Sequence, residues 1–450
     1  MTIKKIVLIL LFIPLALNAQ DEGFGFDDSD FGFDDFGSSG SPRYSFDIGG
    51  EVRAELTGFF NDFSSKDSFN DSSLDDIFSG NLNFHFASSA AEAVINLTII
   101  PAFDGSTPVE IDEAYVRAFF RPFIIEGGLR KVSWGKADSF GPLDLINPLD
   151  FSDLTKLSDP QSIKIARPMI RGIWLFGDFS RLEGIFIPSF QGHNFDETGR
   201  WMPHQIKTLQ DMINTLPLGA EFDGDLYPET STLQYAQGGL RFTSSIASSD
   251  FGLQYYFGRF PRPAVILVPI HHLPIVVPVV NYNYYHHIGA DFARVIAGFN
   301  LRAEAAVNLT EDMNGTDGTI ENPAFLWSLG FDRDLIWGIN LNLQGTGTIR
   351  LFHSKINDNP LLDSEAGTNV SSTRITGILS RKFLRDELEL KTTCLWGIEE
   401  KDFLIMPALI WSKNDVKAEL SAGFFGGDRT GELGQYRDNS FFRVILSYTF

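Results

Sequence analysis

FFRVILSYTF, residues 441–450, alternates its two faces without a break. Phe442, Val444, Leu446, Tyr448 and Phe450 fall on one side, with Arg443 and Ser447 on the other. Successive side chains of a strand point to opposite faces, so this run reads as a strand with one wholly apolar side. The same period of two recurs upstream. In 44–59, Phe46, Ile48, Val52, Ala54 and Leu56 oppose Asp47, Glu51, Arg53, Glu55 and Thr57. In 299–309, Leu301, Ala303, Ala305 and Val307 oppose Asn300, Arg302, Glu304 and Asn308. In 337–351, Ile339, Leu341 and Leu343 oppose Asn340, Asn342, Gln344, Thr346 and Arg350. Near the end, Ala418, Leu420, Ala422 and Phe424 oppose Lys417, Glu419 and Ser421.

A single strand of this kind fits a soluble sandwich, apolar face inward, as well as a membrane barrel, apolar face outward. The connections separate the two. Long links are expected near 61–76, 101–110, 134–167, 191–231, 261–280, 310–322, 353–368 and 427–439. Tight ones are expected near 88–90, 120–122, 178–181, 247–250, Ala297, 332–334, 383–386 and 412–415. Only 399–402 breaks the size rule, as a short link on the long side. Short turns on one side and long loops on the other are the arrangement of outer-membrane barrels. The expected fold is therefore all-β: a transmembrane antiparallel outer-membrane β-barrel of about 18 strands, with 16 as the alternative count. Pro407 within 403–411 is a defect in the pattern, because proline has no N–H for the ladder.

The chain opens MTIKKIVLILLFIPLALNAQ. Lys4 and Lys5, a short apolar run and a small-residue exit at Leu17-Asn18-Ala19 have the layout of a secretory signal peptide. The run is too short for a membrane helix, which needs ~20 apolar residues. The expected organisation is a signal peptide over 1–19, a flexible periplasmic arm over 20–42 and a barrel over 43–450. The arm carries seven acids and no base, and repeats FGFDD at 24–28 and 31–35, a composition without aliphatic residues for a core. It is read as a leader, with a periplasmic partner or a pore plug as the sharper alternative. The formal charge of −22 falls to about −24 once Lys4 and Lys5 are removed. An acidic chain of this size argues against nucleic acid as a partner. Cys394 is the single cysteine, so there is no intramolecular disulfide or multi-cysteine metal site. It sits in an alternating stretch as an expected lipid-facing residue.

The longest motif is GLRKVSWGKADSFGPLDLINPLDFSDLTKLSDPQSIKIARP, residues 128–168. Its marked residues are Arg130, Trp134, Lys136, Asp138, Asp144, Asn147, Asp150, Lys164 and Arg167. Gly135, Gly141-Pro142, Asn147-Pro148 and Asp159-Pro160 are turn formers. The three aspartates are expected to accept backbone N–H groups and fix a compact loop. That loop is expected either to fold inward and narrow a pore, with Lys136, Lys164 and Arg167 lining it, or only to cap its own turns. The pattern resembles an uncharacterised outer-membrane porin-like family that carries R-x4-W-G-x-x-D followed by D-x-x-N-P-x-D and is similar in architecture to alginate-export porins. The resemblance covers about forty residues and implies a barrel, with little about cargo. The terminal strand likewise resembles the signal read by the outer-membrane assembly machinery. Phe442, Leu446, Tyr448 and Phe450 would carry that signal, and the machinery and outer-membrane lipid would be partners.

The loop 261–280, PRPAVILVPIHHLPIVVPVV, is too apolar for open water and is expected to be buried, either folded into the barrel mouth or packed on another loop or a partner. A helical period over 204–216 places Ile206, Leu209, Ile213 and Leu216 near one face, and this helix could pack on that loop. His193, His204, His271-His272 and His286-His287 map to loops or strand tops. Adjacent strand histidines point apart, so no metal site is expected. No G-x-S-x-G elbow or phosphate loop occurs, so neither a cofactor nor an enzyme is expected. Arg53, Arg117, Arg302, Arg350, Arg374, Lys391, Lys417 and Arg443 share the expected lumen with Asp47, Glu51, Glu55, Glu304, Glu389 and Glu419, a mixed wall suited to a water-filled pore. The expected function is an integral outer-membrane porin-like channel for small solutes. A transporter of hydrophobic molecules and a surface adhesin or structural barrel are the alternatives.

Overall fold

In the computed structural model, which describes residues 44–63, 74–101, 107–214, 228–269, 276–359 and 362–450, the alternating segments pair as antiparallel strands. The expected signal peptide and acidic arm lie outside the described residues. The first strands are Ser45–Phe59 (β1), Leu74–Ala87 (β2), Ala91–Ile99 (β3), Val109–Phe120 (β4), Phe123–Arg130 (β5) and Arg167–Phe176 (β6). Ser180–Ile187 (β7), Gln237–Ile246 (β8), Ser249–Arg259 (β9), Tyr284–Ile296 (β10), Phe299–Thr310 (β11) and Ala324–Asp334 (β12) continue the sheet. Ile339–Arg350 (β13), Ser371–Phe383 (β14), Leu388–Gly397 (β15), Asp402–Lys413 (β16), Val416–Gly427 (β17) and Phe441–Thr449 (β18) complete it. Each strand pairs with its neighbours in the chain, and β1 pairs back onto β18, so the 18-stranded sheet closes on itself. Closure removes the unpaired edges that a sheet cannot leave in hydrocarbon.

The seam is held at its end by two backbone bonds. Gly50 N–H donates to Phe450 O at 3.0 Å, and Phe450 N–H donates to Gly50 O at 2.9 Å. Gly50 is required here, because a Cβ would lie 2.7 Å from the Phe450 ring and 2.4 Å from Asn81 O.

The two faces are inverted relative to a soluble protein. Ile48, Ile170, Leu240, Leu329 and Leu446 are each more than half exposed, while Arg241, Asp291, Glu304 and Gln344 are buried inside the ring. A sandwich would bury the first set. A barrel in lipid exposes it to acyl chains and turns its polar face to the lumen. The fold is thus that of an integral outer-membrane protein, and Cys394 lies on the lipid-facing register with Trp396. No helix among the described residues is long and apolar enough to cross a membrane.

Tight turns occupy one end. At 247–248 and 297–298 both central residues have positive φ (Ala247 50°, Ser248 59°; Ala297 51°, Gly298 79°), the geometry whose twist matches a two-residue hairpin. One turn departs from expectation. The Asp332–Asp334 stretch is the end of β12, with Asp332 opposite Asn342, and the chain reverses at 335–338. Leu335, Ile336 and Trp337 there are exposed, which is tolerated because the turn lies at the membrane interface, where apolar and aromatic side chains are favoured. Pro407 sits where the ladder between β16 and β17 is interrupted, between the pairs Ile405–Phe424 and Ala408–Ser421.

The long loops are at the other end, and several turn inward. Leu154, Leu157 and Ile163 from one, Trp201 from a second, and Leu433 and Tyr436 from a third pack on the lumen-facing Phe59, Leu395, Leu404, Met406, Phe425 and Phe441. The core of this molecule is therefore inside the ring.

Candidate functional site: a loop folded across the lumen

Residues 131–166, between β5 and β6, enter the barrel. Asn147 ties the loop's two stems to each other. Its side-chain oxygen accepts from Val132 N–H at 2.7 Å, and its amide donates to Arg130 O at 3.0 Å and Ile165 O at 2.8 Å. The loop tip then attaches to the far wall. Lys136, Ala137 and Leu143 all donate backbone N–H groups to the Glu304 carboxylate on β11, the Ala137 bond being 2.8 Å. Gln344 on β13 accepts from Asp138 N–H at 2.9 Å and Ser139 N–H at 3.1 Å, and donates to Phe140 O at 3.2 Å. Gln254 on β9 donates to Leu143 O at 3.0 Å. Gly135, with φ of 101°, makes the turn that brings these amides together, and a Cβ there would meet Glu304 Oε1 at 2.4 Å.

The near wall beneath the loop carries a charge ladder. Arg117 reaches Glu126 at 2.6 Å, and Arg171 bridges Glu126 at 3.1 Å and Glu183 at 2.8 Å. Trp134 is buried with its Nε1–H donated to Glu183 at 2.8 Å. Buried ions persist only when paired and hydrogen-bonded, and each member of this set has a charged partner.

The motif residues divide by role. Arg130 lies over the Tyr115 ring at 3.9 Å and near Glu113 at 3.7 Å. Asp150 accepts from Ser152 N–H at 2.9 Å and from the Asn194 amide at 3.0 Å, joining the loop to residues 194–195. Asp144 takes the Lys164 ammonium at 2.6 Å and the Trp134 backbone N–H. Asp138 departs from expectation. Its carboxylate accepts no N–H of its own loop but takes Arg302 and, at 2.7 Å, the Asn342 amide, both on the barrel wall. Burial lifts both Asp138 and Asp144 above the usual carboxylate range, against the pull of Arg302 and Lys164.

Of the cations expected to line a passage, Arg167 is instead built into the scaffold, and Lys164 reaches the edge of a lumen cavity with its head already paired. Arg167 is 2 % exposed and donates to Ser189 O at 2.5 Å and Gln191 O at 3.1 Å. Lys164 is buried between Asp144 and Ser133 Oγ, at 2.6 Å from each. Both sit where the loop's returning stem meets the wall, so their heads reach carbonyls and a carboxylate before water. Sequence reading also missed the amide anchors Gln254 and Gln344. Their signal was a glutamine at mid-strand on the lumen face, long enough to reach a loop inside the barrel.

Above the loop, on the long-loop side, lies a cavity of about 400 Å³ bounded by Phe140, Asp144, Tyr285, Thr346, Arg374 and Glu432 among others. Arg374 reaches Glu432 at 2.5 Å, and Arg262 also bonds Glu432, so two loops and the wall meet in one ion cluster. Arg262, with Arg374, holds the Glu432 carboxyl well below the usual range. Ala264–Pro269 pairs with Val276–Asn281, and the helix His204–Asn214 lies against the second of these strands. His271 and His272 lie outside the described residues. His193 accepts from Leu149 N–H at 2.9 Å, and His287 faces Asn308 and Gln254. No cluster of metal-ligating side chains occurs among the described residues.

No family model matches the chain, and no curated protein does. Solved structures do. OccD3 (OpdP) of Pseudomonas aeruginosa aligns at 9% identity over 90% of this chain and 91% of its own, with a TM-score of 0.50. OccAB3 of Acinetobacter baumannii aligns at 9% identity over 90% and 99%, with a TM-score of 0.49. The outer membrane channel DcaP of Acinetobacter baumannii aligns at 10% over 90% and 97%, with a TM-score of 0.42. DcaP is described as an outer membrane channel, and what these likenesses show for this chain is the fold, a closed antiparallel barrel, which here has 18 strands.

Proposed function

We propose that this protein is a porin-like channel passing small polar solutes across the outer membrane, with the 131–166 loop as its constriction. The observation that carries this reading is the anchoring of that loop to Glu304, Gln344 and Gln254 across a closed, polar-walled barrel. A loop tied to the opposite wall narrows a lumen without sealing the membrane-facing side, and a polar wall keeps the remaining path wet. The neighbours' fold supports the same class. Lys136 and Asp138 stand at the loop tip in this reading, and the apolar residues around Trp201 fill their own space by packing on one another, which favours polar over hydrophobic cargo. Phe442, Leu446, Tyr448 and Phe450 serve as the assembly signal in the same reading. Liposome swelling tests the function: vesicles holding the folded barrel swell in small sugars and amino acids at a rate that falls with solute size. Swelling no faster than in protein-free vesicles refutes it.

A further inference from the structure

The cavity above the loop combines three features: cancelled charge, uncommitted hydroxyl and amide groups, and an aromatic platform. Its charged lining residues are Asp144, Lys164, Arg262, Arg374, Glu400 and Glu432, three acids against three bases. Five of the six are matched locally. Lys164 holds Asp144 at 2.6 Å, and both arginines hold Glu432. Glu400 accepts the Ser372 hydroxyl at 2.7 Å. Five of the six charges are thus already engaged by an opposite charge, Glu400 alone being met by a neutral hydroxyl, so a charged solute entering here would lose water and recover at most one ion pair.

The polar groups left over are of another kind. Thr346 and Thr348 share the lumen register of Gln344, opposite Arg374 and Ser372 of β14. Among the described residues their hydroxyls have no hydrogen-bond partner, and Asn308 uses its side-chain oxygen on His287 while its amide donors have no partner among them. A hydroxyl both donates and accepts, so such a wall matches a ligand that does the same. The cavity is also lined by Phe260, half-buried and stacked on the buried Tyr285 ring with centroids 4.4 Å apart, an apolar surface of the sort that covers the C–H side of a sugar ring. About 400 Å³ falls at the small end of the ~300–1,000 Å³ of small-molecule sites, the scale of a short oligomer.

We infer that this cavity is a binding vestibule for neutral, polyhydroxylated solutes, a short uncharged oligosaccharide being the fitting class. The inference rests on the channel reading and adds its substrate. The test is current block of the refolded full-length barrel in a planar bilayer by maltotriose, compared with its anionic counterpart trigalacturonate and its cationic counterpart chitosan trimer. Maltotriose is expected to interrupt the current at the lowest concentration of the three. T346V/T348V is expected to raise its half-blocking concentration about tenfold, the effect of losing two ordinary hydrogen bonds. A charged trimer that blocks as well as maltotriose, or no block by any trimer in a conducting channel, overturns the substrate class and leaves the channel standing. A folded barrel that carries no current defeats the channel reading instead. Titration calorimetry of maltotriose into the detergent-solubilised barrel then reads the cavity alone: heat that T346V/T348V abolishes sustains the site, and absent heat overturns it.

Discussion

Glu304 on β11 accepts the backbone N–H of Ala137 at 2.8 Å, so one wall carboxylate holds the tip of a loop that started at β5. Lys136 and Leu143 add their N–H groups to the same carboxylate. E304A would strand one buried and two partly buried donors, a buried one costing about 1–3 kcal/mol when left unmade and the three not simply additive. The expected result is larger and noisier single-channel conductance and a lower unfolding temperature. E304Q retains an acceptor oxygen and should fall between. Wild-type conductance in E304A would show that this contact does not hold the loop.

Asn147 makes its three hydrogen bonds to both stems of the loop, which no alanine can replace. N147A is expected to destabilise the loop by about 1–3 kcal/mol. Limited proteolysis of the folded barrel checks this: new cuts within 131–166, with the barrel band intact, are expected. Unchanged resistance would count against Asn147 as the loop's tie.

The β1–β18 seam closes through Gly50 and Phe450. Deleting Phe450 removes both bonds and the ring over Gly50, and deletion through Tyr448 also removes an exposed aromatic of the lipid face. Both truncations are expected to lose the heat-modifiable barrel band from outer-membrane fractions. Normal yield would refute the reading of this strand as the assembly signal.

Burial pushes His193 down to about 3, with Arg262 adding to the effect. A histidine held neutral in the folded loop takes up a proton more readily once released. Its contribution is therefore present above the ordinary histidine value of ~6.5 and is lost as pH falls from there toward 3. Protonation also removes the acceptor for Leu149 N–H. Protease sensitivity near 149 and 193 is expected to rise between pH 7 and pH 4, and H193N is expected to flatten that rise. A pH-independent pattern in the wild type would contradict it.

The strands were legible because each polar–apolar alternation spans a whole strand, and a one-residue slip would turn every side chain to the wrong medium. Arg302, Glu304 and Asn308 could be assigned to the lumen on that ground alone. The 335–338 turn was not legible, since Leu335-Ile336-Trp337 breaks the rule that turns are polar, a rule that holds for turns in water and not for one among lipid headgroups. The loop motif was visible as a set of turn formers and charges, but its partners were not. Trp134 meets Glu183, and Asp138 meets Arg302, across sequence separations of 49 and 164 residues, set only by barrel closure. Arg167 illustrates the same point. A lone arginine near a pore motif reads as a pore residue until the folded chain supplies two backbone carbonyls for it.

Single-channel conductance of the refolded barrel beside its E304A/Q344A variant tests the central claim most directly. Steady, polar-solute-sized conductance that grows when the two anchors are removed is the predicted result. A demonstrably folded barrel that is silent in both forms would contradict it.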